Sequence, residues 1–264
     1  MSSTLSTIET GLTAQQTQLD TIANNLANVN TVGFKQQQPM FETLLYQNSV
    51  QPGASSSGNT LYPSGLNMGT GVQVAAEKAL LTQGNLQQTS NPLDLAIQGN
   101  GYFQVLQPSG QIGYTRDGAF ELNQNGQIVT ADGYQVLPNI TLPPNATSVT
   151  VGTDGTISVT TPASNKATVI GQVQLASFIN PQGLQPVGQN LYLATGSSGA
   201  AITGSPQQNG LGSINQGSLE QSNTNVVTSM VDLISAERAY ELGTNVASAA
   251  GTGLQELSQM AANA

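Results

Sequence analysis

Histidine, cysteine and tryptophan are absent from the 264 residues, and only 7% of the chain is charged. Without His or Cys there is no imidazole-assisted or thiol nucleophile, no disulfide, and no thiolate or imidazole zinc site. Five cations, Lys35, Lys78, Arg116, Lys166 and Arg238, stand against 14 acidic residues. A net charge of −9 leaves no basic face for a phosphate backbone, so nucleic acid is excluded as a partner. No apolar run is long enough to span a bilayer, and no membrane insertion is expected. The first nine residues have neither the basic nor the apolar region of a secretory signal. The chain is therefore expected either to stay in the cytoplasm or to leave by another export route.

What the sequence has instead is amide and hydroxyl. Ser, Thr, Asn and Gln make up 105 residues. Disordered chains usually pair low hydrophobicity with high net charge, and this one lacks the charge density. Neutral, amide-rich surfaces suit a protein that packs against its own copies, because few ions must be desolvated at each contact.

The two ends carry a seven-residue rhythm. Leu5, Leu12, Leu19 and Leu26 form one row, with Ile8, Ile22 and Val29 in the companion row. Towards the C-terminus Val226, Leu233, Tyr240, Ala247 and Leu254 repeat the spacing, beside Ser229, Ala236, Gly243 and Ala250. This a/d pattern predicts long terminal helices forming a coiled-coil-like pair. Asn223 or Asn225 is expected to cap the second helix. The subunit-packing seam is assigned to Leu5, Leu12, Leu19, Val226, Leu233, Tyr240 and Leu254. Gly243, Gly251 and Gly253 weaken the second helix, so it needs packing partners.

Between the ends the period becomes two. Leu93, Leu95 and Ile97 alternate with polar or small residues, and Asn100-Gly101, Ser109-Gly110, Asp117-Gly118, Asn125-Gly126, Asp132-Gly133 and Asp154-Gly155 punctuate short strands. Such pairs predict an antiparallel meander. The expected fold class is α+β: terminal helices, a central antiparallel all-β domain and an extended connector. Residues 1–35 and 223–264 are assigned to a helical assembly domain, 36–90 to a connector and brace with short β elements, and 91–222 to the β domain.

Carboxylates are the only candidates for acid–base chemistry. Asp117 and Glu121 could be imagined as a glycan hydrolase pair, but Asp117, like Asp132 and Asp154, immediately precedes Gly, which a turn role explains better. No catalytic, cofactor or metal residue is assigned. Arg116, between Thr115 and Asp117, is expected to make a local salt bridge or to bond turn carbonyls, with an intersubunit role less favoured.

The run Ile22-Ala-Asn-Asn-Leu-Ala-Asn-Val-Asn-Thr-Val-Gly-Phe-Lys35 resembles the N-terminal signature of the bacterial flagellar rod and hook family. The block from Gln83 to Val105, the block Tyr114-Thr-Arg-Asp-Gly-Ala-Phe120, and the pair Ser222–Val226 and Glu237–Glu241 resemble its later hallmarks in the family's order. Onto this chain the resemblance carries Ala23, Asn24, Asn25, Leu26, Ala27, Asn28, Thr31, Gly33, Phe34 and Lys35 as assembly residues. Phe41–Tyr46, Gln51–Ala54 and Leu61–Val72 are similar to the family's distal-rod branch. Gly243 and the run Ala250–Gly253 depart from the family pattern.

The resemblance implies a structural subunit that self-assembles into a rigid hollow helical drive shaft carrying torque from motor to hook. It implies proximal-rod and hook proteins, the periplasmic and outer-membrane ring bushing, and the flagellar type III export apparatus as partners. The implied location is the basal-body rod, reached without a cleaved signal peptide. A proximal-rod or hook subunit is the nearest alternative and a secreted glycan hydrolase the distant one.

Overall fold

The computed structural model describes residues 2–57, 60–162 and 164–262. Met1, Asn263 and Ala264, which fall in the expected helical domain, lie outside the described residues. The chain folds as two compact units, each built from non-contiguous segments.

The first unit takes residues up to Ala27, Gln37–Ala79 and residues from Asn225 onward. Helix α1 spans Ser2–Ala27 and helix α2 spans Val226–Ala262. Four threonine hydroxyls of α1 are satisfied within the helix: Thr10 donates to Thr7 O, Thr13 to Glu9 O, Thr17 to Thr13 O and Thr21 to Thr17 O. This back-bonding lets a hydroxyl-rich segment stay helical without solvating each side chain. Helix α2 starts at Asn225, whose Oδ1 accepts the backbone N–H groups of Val227 and Thr228 at 3.0 and 3.2 Å. Of the two candidate caps, the sequence's Asn225 serves, and Asn223 is used elsewhere.

The long coiled-coil-like pair does not form. The structure has one helix at each end, and they meet only as a small pair. Leu12 lies against Gly243, where an added Cβ would stand 2.8 Å from the Leu12 Cδ2. Beside that contact, Leu5, Ile8 and Leu12 face Tyr240 and Ala247 across a hollow of about 470 Å³. Knobs-into-holes packing leaves no such gap. Helix α1 also shares its apolar surface with a hairpin instead of giving it all to α2. That hairpin pairs Gln37–Thr43 with Val72–Ala79, antiparallel, with Gln37 opposite Ala79 and Thr43 opposite Val72. Ala14, Thr21, Ile22 and Asn25 of α1 are buried, and Thr21 Oγ1 lies 3.3 Å from Glu77 Oε1 as the alternative acceptor for its one hydrogen.

The second unit takes Asn28–Gln36 and Leu80–Thr224. Its nine-stranded antiparallel sheet runs in the order Phe120–Leu122, Ile128–Thr130, Gln135–Leu137, Tyr102–Leu106, Ile112–Thr115, Leu191–Leu193, Gln185–Gly188. Leu175–Ser177 joins the central strand Tyr102–Leu106 and carries Ile202–Gly204. The central strand is buried on both faces. Phe103 and Val105 enter the main core with Leu95, Ile97, Phe120 and Leu175, while Tyr102 joins Tyr114 and Phe178 in a second cluster. Edge-to-face rings mark both: Phe103 and Phe120 at 5.1 Å, Tyr114 and Phe178 at 4.8 Å. A three-stranded sheet, Ser148–Val151, Thr156–Thr161 and Ser164–Gln172, adds Ile157 to the main core.

Candidate assembly site and its buried ion triad

The signature segment divides between inward and outward residues. At the end of α1, Asn25 is 2% exposed. Its Nδ2 donates to Gln37 O at 2.7 Å and its Oδ1 accepts the Gln37 N–H at 2.8 Å. One side-chain amide thus occupies both backbone groups of the strand's first residue, as a neighbouring strand would. Leu26 is half-buried, and Ala23, Asn24 and Ala27 are exposed.

Past the helix, Thr31 N–H donates to Asn28 O at 3.1 Å and Phe34 N–H to Thr31 O at 3.3 Å, which turns the chain. Gly33 sits at φ +70°, and its N–H donates to Glu220 O at 2.7 Å. A Cβ there would stand 2.8 Å from the Arg116 carbonyl carbon, so both conformation and space call for glycine. Two residues on, Lys35 is 2% exposed. Phe34 is half-buried beside it.

Lys35 Nζ donates to Glu220 Oε1 at 2.6 Å and to Thr82 O at 2.9 Å. Arg116 Nη1 donates to Glu220 Oε2 at 3.2 Å and Nη2 to Gly99 O at 2.8 Å. Gly84 N–H completes the shell of Glu220 Oε1 at 3.0 Å. The Arg116 guanidinium also lies 5.3 Å from the Tyr102 ring centroid. Burial pulls the Lys35 amine below its ordinary range, and the Glu220 carboxylate works against that pull. Asn223 ties the same region: it accepts the Gln36 N–H at 2.8 Å and donates to Leu80 O at 2.8 Å.

Arg116 therefore bonds a turn carbonyl, as its sequence neighbourhood suggested, and also a carboxylate 104 positions away. Glu220 went unassigned from sequence. The available signal was indirect: a buried cation demands a carboxylate, and the chain has only 14 acidic residues to supply one. Asp117, the imagined acid, accepts the Ala119 N–H at 3.0 Å, which is the turn role.

The seam residues are placed as follows. Leu12, Leu19, Leu233, Tyr240 and Leu254 are half-buried, while Leu5 and Val226 are 40% and 37% exposed. Other apolar side chains of α2 are open: Val227 is 72% exposed, Val231 58%, Ile234 56%, Leu242 66% and Val246 56%.

Three family models cover most of the chain. Residues 5–35 match the flagella basal body rod protein, 96–159 the flagellar hook protein FlgE/F/G D1 domain, and 215–260 the flagellar basal body rod FlgEFG protein C-terminal. The flagellar basal-body rod protein FlgG of Buchnera aphidicola is 46% identical over 96% of this chain and 97% of its own. That of Caulobacter vibrioides is 44% identical over 97% and 98%. The chain belongs to the flagellar rod and hook family. Within it, the FlgF of Caulobacter vibrioides is less similar, at 36% identity over 88% of this chain. The chain is a structural subunit of the flagellar distal rod, located in the basal body. Its family signature and its buried triad coincide at Lys35, and Gly33 of the signature donates to the Glu220 backbone.

Proposed function

We propose that this rod-family chain works without catalysis, by helical self-assembly into a rigid hollow shaft that passes torque from motor to hook. The observation that carries the reading is the apolar stripe of α2, where Val227, Val231, Ile234, Leu242 and Val246 are all more than half exposed. A stripe of this size costs solvation free energy in a lone subunit and is removed from water when neighbouring helices cover it. Contacts between unlike surfaces of identical subunits propagate into open helical polymers.

In this reading residues 1–35 and 223–264 act as the assembly domain, 36–90 as connector and brace, and 91–222 as the outer β domain. The specific neighbours are proximal-rod and hook proteins at the two ends of the shaft, and the ring bushing around it. The type III apparatus delivers the chain. The seam leucines and exposed signature residues Ala23, Asn24 and Ala27 supply subunit contacts, whereas Asn25, Gly33 and Lys35 set the shape that presents them.

A strain lacking the chain tests this directly. It is expected to be non-motile, with basal bodies that end before the distal shaft by electron microscopy. Normal motility with complete rods would overturn the proposal.

A further inference from the structure

Beside the triad lies a cleft of about 420 Å³, lined by Lys35, Arg116, Tyr102, Phe178 and Ile179 among others. Its donors outnumber its acceptors. Lysine and arginine side chains together carry about eight N–H donors, and four bonds engage them here. Arg116 Nε has no hydrogen-bond partner, although the residue is only 7% exposed. Among the described residues, Glu220 is the one carboxylate within ion-pair distance of either cation. Two positive charges therefore share a single negative one. Three donors, Lys35, Arg116 and the Gly84 N–H, already share the Glu220 carboxylate.

We propose that this cleft receives an acidic side chain from a second copy of the chain. The proposal rests on the reading of the chain as self-assembling. Charge complementarity favours this occupant: the chain carries 14 acidic residues, and outside the cleft its only cations are Lys78, Lys166 and Arg238. A second copy therefore presents mostly carboxylates to whatever it touches. The lip supports the same occupant. Ile179 is 84% exposed at the cleft edge while its neighbour Phe178 is buried. A subunit closing over that lip takes Ile179 from water and lowers the local dielectric, which strengthens a carboxylate–guanidinium bond.

The test places a photocrosslinking amino acid at Ile179 in the full chain and isolates basal bodies after irradiation. The expected product joins Ile179 of one copy to a segment of another copy that carries Asp or Glu, mapped by mass spectrometry. Replacing that carboxylate by its amide is then expected to lower the cross-link yield at least about fivefold. Complete rods with no cross-link between copies, a cross-link to a segment without a carboxylate, or an unchanged yield after amide replacement would each overturn the cleft proposal alone. Basal bodies that do not contain the chain would overturn the self-assembly reading, and the cleft with it.

Discussion

The side-chain amide of Asn25 replaces a β-strand neighbour for Gln37, holding its N–H at 2.8 Å and its carbonyl at 2.7 Å. The bond pair fixes the end of α1 to the start of the hairpin strand Gln37–Thr43 within one unit. Asn25 is buried and Gln37 half-buried, so solvent replaces the lost amide only in part.

Asn25→Ala is accordingly expected to destabilise the chain by about 1–3 kcal/mol, the cost of leaving part-buried polar groups without their partner. Urea denaturation followed by circular dichroism measures it. A loss below about 0.5 kcal/mol, the range of an ordinary surface change, would show the pair to be dispensable.

Glu220→Ala leaves Lys35 and Arg116 buried without a counter-charge. The expected cost is about 3–5 kcal/mol, which is large beside the whole stability of a domain. Guanidinium chloride unfolding of the variant is the measurement. Glu220→Gln, which keeps an acceptor and loses the charge, should fall between wild type and Ala; equal midpoints for all three would remove the triad's structural role.

Gly33→Ala meets both a left-handed backbone and the Arg116 main chain. It is expected to cost about 1–3 kcal/mol. Gly53→Ala, also at positive φ but with open space around it, should cost about 1 kcal/mol. Matching melting temperatures for the two variants would show that close approach at Gly33 contributes nothing.

Alkaline pH should unfold the protein. Burial pushes Tyr192 up to about 12 and also raises Tyr102 and Tyr114 above 10.0. A raised folded value means the native state holds the proton longer, so this stability is present below pH 10 and is lost between about pH 10 and 12. Lys35 acts oppositely: its lowered value gives a contribution that recovers as pH climbs towards 10.5. The tyrosines extend further, so the net change above pH 10 is a loss. Tyr192 accounts for about 2–3 kcal/mol of it. Unfolding free energies measured from pH 9 to 12 should decline less in Tyr192→Phe than in wild type, and parallel curves would refute the assignment.

Charge on the exposed face of α2 separates folding from assembly. Val231→Glu with Ile234→Glu is expected to leave the melting temperature of the purified chain within a degree or two, since both positions are more than half exposed. Motility in soft agar should be abolished. Swimming cells carrying both substitutions would count against α2 as an assembly surface.

Local rules made much of this structure readable. Gly110, Gly126, Gly133 and Gly155 follow Ser, Asn or Asp and all take positive φ, as hairpin turns require. Gly118, in the same kind of pair, is outside that set; its small size serves the approach of the Leu95 backbone. The helices were legible from their rhythm, but their pairing was not. A seven-residue repeat states which side of a helix is apolar and not what covers it. Ala14 is buried beside Val72 and Val74 of the hairpin, while Val226 of the opposite seam stays partly open. The triad was hidden for another reason. Lys35 and Glu220 are 185 positions apart, and no local pattern links residues at that distance.

The chain passes from the first unit to the second at Asn28, back at Gln37, out again at Leu80 and home at Asn225. Neither unit can therefore be finished from an early stretch of polypeptide. Lys35 is synthesised 185 positions ahead of Glu220 and must wait for it. Until then the signature segment lacks its anchor and the turn at Gly33 lacks its acceptor. The interlaced path acts as a clock: a chain made only as far as the strands before Glu220 leaves Lys35 and the Gly33 N–H without the partner that holds them.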